Sequence, residues 1–256
     1  MSYQAYVICT SPRSGSTLLC KLLAATGQAG DPQSYFHKAS LDAWQAHFGL
    51  EDAVFPGERE RLSTLFETAR QRGSAGTGIF GLRLQRGSFD FFASQLKTIH
   101  PELKSLSARI EAVFGRPLFI HLTRGDKVAQ AVSFVKASQT GLWHKAPDGT
   151  EIERLAPPQE PSYDRARIRQ HVEEMTAYDQ AWTDWFKDED LTPLRIRYDE
   201  LALQPVAAVE TILRELGLDP KAAAGIELPV ARLSDKTNRE WIERFKAEET
   251  GSSSGP

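Results

Sequence analysis

Thr10-Ser11-Pro12-Arg13-Ser14-Gly15-Ser16-Thr17-Leu18-Leu19 is the stretch whose reading decides the fold. The apolar run Ala5-Tyr6-Val7-Ile8-Cys9 before it reads as a buried parallel strand. Leu18-Leu19-Cys20-Lys21-Leu22-Leu23 after it reads as a helix. Strand, small-residue loop and helix together make a phosphate cradle. Successive backbone N–H groups turn inward, and the helix N-terminus adds unpaired donors and a favourable dipole. Gly15 lets backbone approach a ligand, Ser14, Ser16 and Thr17 add hydroxyls, and Arg13 adds a fixed charge with a fork of donors. A nucleotide triphosphatase loop needs G-x-x-x-x-G-K-[ST]. Here Thr10 replaces the first glycine and Ser16 the lysine, so the group that reaches the β/γ-phosphates is missing. A Ser-capped helix after a turn is the plainer alternative.

Working outward, 256 residues suit one large α/β domain or two small ones. Lys+Arg 31 against Asp+Glu 34 gives a net charge of −3, which argues against a nucleic-acid coat while allowing a local basic pocket. Cys9 and Cys20, the only cysteines, fall in the first strand and helix and make neither a disulfide framework nor a metal site. No apolar run approaches about 18 residues, and no basic-then-apolar leader opens the chain. A soluble, cytoplasmic protein without a membrane span is the expectation.

Further strands are expected at 79–84, 118–123 and 194–198, and helices at 16–26, 89–99, 103–114, 127–140, 165–186, 206–216 and 239–248. Helical spacing also marks 41–72, and Gly73–Gly78 reads as a linker. The stripe Ile168, Val172, Met175, Trp182, Trp185 and Phe186 reads as core or a subunit contact. Ala146–Pro161 is polar and proline-rich, an exposed excursion or lid, and Gly251–Pro256 a polar tail expected to be disordered after a single domain over 1–250. Strands separated by helices argue a parallel sheet covered on both faces. Ligands in such sheets lie at the carboxyl ends of the strands, which brings Arg13, Arg83 and Arg124 to one edge.

The opening loop, taken with Ile120-His121-Leu122-Thr123-Arg124-Gly125-Asp126-Lys127-Val128-Ala129-Gln130-Ala131-Val132-Ser133-Phe134, resembles the sulfotransferases that use 3′-phosphoadenosine-5′-phosphosulfate (PAPS). Ser11-x-Arg13, Ala24-x-Thr26-Gly27, Gly30-Asp31-Pro32-Gln33, Trp143 and Arg232-x-x-Asp235-x-x-x-x-Glu240-Trp241 resemble the bacterial trehalose sulfotransferase family, so the likeness spans nearly the whole chain. The resemblance implies a P-loop-like sulfotransferase fold with the 5′-phosphosulfate on Arg13, Ser14, Gly15, Ser16, Thr17 and Leu18. It implies the 3′-phosphate on Arg124 and Ser133, the desulfated nucleotide PAP as product, a hydroxyl acceptor on a carbohydrate or similar polar molecule, and a homodimer. Arg13 would stabilise charge on the bridging oxygen as it leaves. No metal is called for.

Two positions depart from that family. Its pattern Gly-Glu-Pro-x-Glu ends in a glutamate that serves as general base, where this chain has Gly30-Asp31-Pro32-Gln33-Ser34. A neutral serine cannot take the acceptor proton, so the role passes in expectation to Asp31, with His37 as the second candidate. Gln85 stands where the family carries an aromatic residue, which alters the acceptor pocket that Tyr35, Phe36, the segment around Trp44 and the Ala146–Pro161 excursion are expected to build. The competing readings are a nucleotide-dependent kinase with a degenerate loop and a PAP-binding protein without catalysis.

Overall fold

The computed structural model describes residues 2–227 and 235–252. Arg232 of the expected terminal motif and residues 253–256 of the expected tail lie outside them. In chain order the elements are β1 (Ala5–Thr10), α1 (Ser16–Ala25), α2 (Leu41–His47), α3 (Glu58–Ser74), β2 (Phe80–Gln85), α4 (Arg86–Ile99), α5 (Leu106–Phe114) and β3 (Pro117–Thr123). There follow α6 (Lys127–Thr140), β4 (Leu142–Lys145), β5 (Glu151–Arg154), α7 (Arg165–Asp188), β6 (Leu194–Arg197), α8 (Tyr198–Leu203), α9 (Pro205–Leu216) and α10 (Lys236–Ser252).

Four strands form one sheet in the order β2-β1-β3-β6, every pair parallel. β1 is the hub, buried along its whole length. Its side chains alternate between faces, as a strand requires. Ala5, Val7 and Cys9 enter an aromatic core with Phe36, Trp44, Phe66, Phe92 and Trp182. Tyr6 and Ile8 enter an aliphatic core with Leu19, Leu22 and Leu23 of α1 and Ile212 and Leu213 of α9. Each fully buried leucine there contributes about 1.5–3 kcal/mol. This is the α/β architecture expected, with its four parallel strands found within a residue or two of their expected bounds.

A third cluster joins α6, α7 and α10 through Ala131, Val132, Val135, Ile168, Trp241 and Phe245. The α7 stripe is therefore core within the chain: Ile168, Met175, Trp182 and Phe186 are buried, with Val172 and Trp185 packed against the clusters. Asp126 caps α6 by accepting from Ala129 N at 2.8 Å, which fixes where the helix leaves the end of β3.

Two expectations need correction and a third is refined. Tyr35, Phe36 and Trp44 do not build an acceptor pocket. They are almost wholly buried, with the Phe36 and Trp44 ring centroids 4.7 Å apart, because burying aromatic area outweighs keeping it at a polar rim. The 146–161 stretch is largely exposed, as expected, but it is also structured, since β4 and β5 pair antiparallel around Asp148-Gly149. Gly149 has φ 95 and Thr150 N bonds Asp148 Oδ1 at 2.9 Å, the local chemistry of a hairpin turn. Gly73 and Ser74 are the last residues of α3 rather than the start of a linker.

Candidate active site

At the carboxyl ends of β1, β2 and β3 lies a cavity of about 1100 Å³. Its walls are the loop Pro12–Leu18, the segment Asp31–Ser34 with His37, the hairpin β4–β5, and Arg83, Gln85, Arg124 and Ser133.

The opening loop is held from beneath. Arg13 has φ 60, a left-handed conformation costly for a residue with a Cβ. The surroundings impose it. Gln130, fully buried, donates to Ser11 Oγ at 3.0 Å and to Pro12 O at 2.6 Å. Trp182 Nε1 donates to Thr10 O at 2.9 Å, and an Arg124 guanidinium nitrogen donates to Arg13 O at 3.2 Å. Thr10 Oγ1 donates to Leu122 O at 2.9 Å, so Ser14 Oγ donates to Thr10 Oγ1 across 2.6 Å. The Ser14 hydroxyl thus faces inward, and only the backbone of Ser14 remains for a ligand. Ser11 Oγ donates to Asp179, which also holds Lys127 Nζ. Burial raises the Asp179 carboxyl, and the contacts with Lys127 and Ser11 oppose that rise.

Gly15 caps α1 with φ 85, and no side chain caps that helix. A Cβ there would lie 2.5 Å from the Tyr198 ring, so the close approach of α8 admits only glycine. The first N–H groups of α1, from Ser16 to Leu18, have no carbonyl a turn earlier to pair with and line the cavity as anion donors.

Arg13 reaches between the elements expected to meet it. Its Nε donates to Ser133 Oγ at 2.9 Å and a terminal nitrogen to Trp143 O at 2.7 Å. Burial first and Arg124 second lower its pKa to about 10, which leaves it a cation at neutral pH. Arg124 stacks on Tyr198, 4.5 Å from the ring centroid. Arg13, Arg124 and Ser133, distant in sequence, form one cationic corner, and a second cavity of about 430 Å³ opens behind it beside Lys136, Lys145 and Arg154.

On the opposite wall, Arg83 Nε donates to Ser34 Oγ at 2.7 Å and another of its nitrogens to Thr17 Oγ1 at 2.8 Å. Ser34 reaches Arg83 because its loop runs beside β2, with Gln33 bridged to Leu82. Gly30 lets the chain turn there: a Cβ on it would meet Gly73 O at 2.2 Å. Asp31 and His37 both line the cavity. Asp31 Oδ2 accepts from Gln33 Nε2 at 2.6 Å, and His37 Nδ1 lies 3.1 Å from Ser34 O.

Sequence reasoning missed His144 and Glu153. His144 Nε2 lies 3.0 Å from Thr17 Oγ1 and 3.3 Å from Glu153 Oε2 on the paired strand. Burial, then Arg13, Arg83 and Lys21, pull the ring down to about 4. At neutral pH the contact with Glu153 is therefore between a carboxylate and a neutral imidazole. Reading Asp148-Gly149 as a hairpin turn would have placed both residues, since β-pairing sets them opposite each other. Gln130 and Asp179, the supports of the loop, carried no local signal.

Comparison with known proteins shows the family of the chain. The family model for Stf0 sulphotransferase matches residues 5–248. A trehalose 2-sulfotransferase of Mycolicibacterium smegmatis is 31% identical over 259 aligned residues, covering 94% of this chain and 94% of its own. One from Mycobacterium tuberculosis is 30% identical, covering 95% and 94%. Among solved structures, the sulfotransferase domain of the Synechococcus PCC 7002 olefin synthase aligns with 95% of this chain and 86% of its own, at 16% identity and a TM-score of 0.44. With a family match across almost its whole length, the chain belongs to the Stf0 sulphotransferase family and is a sulfotransferase enzyme.

Proposed function

We propose that this enzyme moves a sulfuryl group from PAPS to a hydroxyl of a carbohydrate, with trehalose as the first acceptor to try. The observation that carries the reading is Arg13, held in a left-handed conformation between Ser133, Arg124 and the Trp143 carbonyl beside an uncapped helix N-terminus. PAPS is anionic at both ends, and the cavity offers two anion sites to match. The N–H groups of Ser16, Thr17 and Leu18 with the Thr17 hydroxyl suit the phosphosulfate. Arg124 and Ser133, which both line the main cavity, suit the 3′-phosphate. Bound PAPS supplies an activated sulfuryl group.

The chain supplies position and charge, which carry most of such a transfer. Arg13 meets the charge that grows on the bridging oxygen. Arg83 keeps Thr17 and Ser34 in place. Asp31, Gln33, Ser34, Gln85 and His37 give the far end of the cavity a polar rim suited to a polyol, and Asp31 and His37 are the proton acceptors expected from the sequence. The names of the two mycobacterial relatives support a sugar acceptor. A homodimer in the cytoplasm belongs to the same reading. No helix among the described residues is long and apolar enough to cross a membrane.

Nucleotide choice tests the reading against a kinase. Calorimetry should show PAP binding without Mg²⁺ and in clear preference to ATP with or without it. Mg²⁺-dependent ATP binding tighter than PAP would overturn it.

A further inference from the structure

Ser34 leaves the acceptor end without the carboxylate its family uses, and its hydroxyl is engaged by Arg83. Arg83 also donates to Thr17, and Thr17 Oγ1 contacts His144, which in turn faces Glu153. A continuous line of polar contacts therefore runs along the cavity wall from Ser34 to the hairpin, and it ends in a histidine and a carboxylate. We propose that His144, oriented by Glu153, is the general base that takes the acceptor hydroxyl proton. The inference rests on the sulfuryl-transfer reading above.

Position favours His144 over the other candidates. A base must lie about 2.6–3.2 Å from the hydroxyl it deprotonates, and that oxygen must lie about 3–3.5 Å from the sulfur it attacks. His144 Nε2 is 3.0 Å from Thr17 Oγ1, which anchors the imidazole ring beside the first turn of α1, where the phosphosulfate would rest. The Asp31 carboxylate accepts from Gln33 two residues along its own loop, whose backbone is tied to Tyr35 and Gly73 on the wall away from the hairpin. His37 bonds Ser34 O on its own loop.

Both contacts of His144 fall on Nε2, and among the described residues nothing bonds Nδ1. With Nε2–H directed at Glu153 and Thr17, the lone pair is on Nδ1. In the transfer, the hydroxyl oxygen bonds to sulfur as the bond from sulfur to the phosphate oxygen breaks. That electron pair leaves on the phosphate of PAP, the hydroxyl proton moves to Nδ1, and Glu153 balances the imidazolium.

The charged groups facing His144 are Arg13 on the loop, Lys21 on α1, Arg83 on β2 and Glu153 on β5. Burial first, and then the three cations, keep the free ring neutral. A bound donor dianion offsets them and moves the acid limb of the rate profile upward in pH.

The test measures kcat for labelled PAPS and trehalose from pH 4.5 to 8, with PAP affinity by calorimetry, for the wild type and His144→Gln, Glu153→Gln and Asp31→Asn. His144→Gln should lower kcat about 10²–10⁴-fold and abolish the acid limb, with PAP affinity kept within about threefold. Glu153→Gln should lower kcat about tenfold and move the limb to lower pH. Asp31→Asn, whatever it costs in acceptor binding, should retain the acid limb, and imidazole should partly restore His144→Gly. PAP binding reports that each variant is folded. The proposal is overturned if His144→Gln retains kcat within about threefold, keeps the acid limb, or loses PAP binding in proportion to rate. A wild type that binds PAP but sulfates no sugar overturns the underlying reading, and it does so before any variant is made.

Discussion

The opening loop and the β4–β5 hairpin face each other across one cavity, and they are held in opposite ways. The loop rests on buried groups: Gln130, Trp182 and Thr10 each satisfy its backbone or side chains from below. The hairpin has half-buried β4 and mostly exposed β5, with Ile152 39% and Leu155 69% exposed. Apart from the Trp143 ring, which packs edge-on against Phe134 with centroids 5.4 Å apart, its ties to the rest are polar: Arg13 to Trp143 O, His144 to Thr17 and Arg154 to Thr140 O. An element with few buried apolar contacts opens at low cost, whereas one braced by a buried amide does not. The contrast separates two tasks: a fixed wall presents charge to an anion, and a wall of low local stability suits an acceptor that must enter and leave.

Within the fixed wall, removing charge should have the largest effect. Arg13→Ala should lower kcat at saturating donor by about 10²–10³-fold, with a much smaller change in PAP affinity, because the charge it meets is greatest in the transition state. Steady-state kinetics check this, and normal kcat with a raised KM alone would move Arg13 out of the transition state. Arg124→Ala should come next. It should weaken PAP by about 1.5–3 kcal/mol, and adenosine 5′-phosphosulfate by much less, because only PAP carries the 3′-phosphate. Equal losses by calorimetry would place Arg124 elsewhere.

The bracing itself can be broken. Gln130→Leu strands Pro12 O and leaves Ser11 Oγ with Asp179 alone, and it should destabilise the fold by about 1–3 kcal/mol in urea unfolding. Ile152→Ala on the hairpin should stay within about 0.5 kcal/mol. Comparable losses would erase the contrast between the two walls.

A pH dependence of stability is expected at the base of the fixed wall. His121 pairs beside Cys9 in the sheet, and burial, then Arg195 and Lys127, lower its pKa from 6.5 to about 4. The unfolded chain then binds the proton more readily, so this contribution is intact above about 6.5 and is lost as pH falls toward about 4. By pH 5 the loss should be on the order of 1–2 kcal/mol. His121→Phe, beside Phe186, should flatten that part of the curve.

Much of the fixed wall was legible in the sequence because its signals are short. An apolar strand, a small-residue loop and a helix lie within 5–25, and Arg124 and Ser133 follow one strand and were singled out by the family resemblance. Parallel pairing then brings strand ends together without further information. The supports were not legible, because Gln130 and Asp179 act through contacts more than a hundred residues away along the chain. Tyr35, Phe36 and Trp44 misled because a loop rich in aromatics reads the same whether its rings line a pocket or fill a core. Only the packing of α2, α3 and α4 over them decides it. His144 and Glu153 were hidden by prolines that draw the eye from the Asp148-Gly149 turn.

Transfer of label tests the central claim most directly. Incubating the enzyme with PAPS labelled in the sulfuryl group and with trehalose, alongside a panel of other sugars, should yield a labelled sulfate ester and one PAP for each sulfate moved. Tight PAP binding with no label passed to any sugar would contradict it and leave a protein that holds the nucleotide without using it.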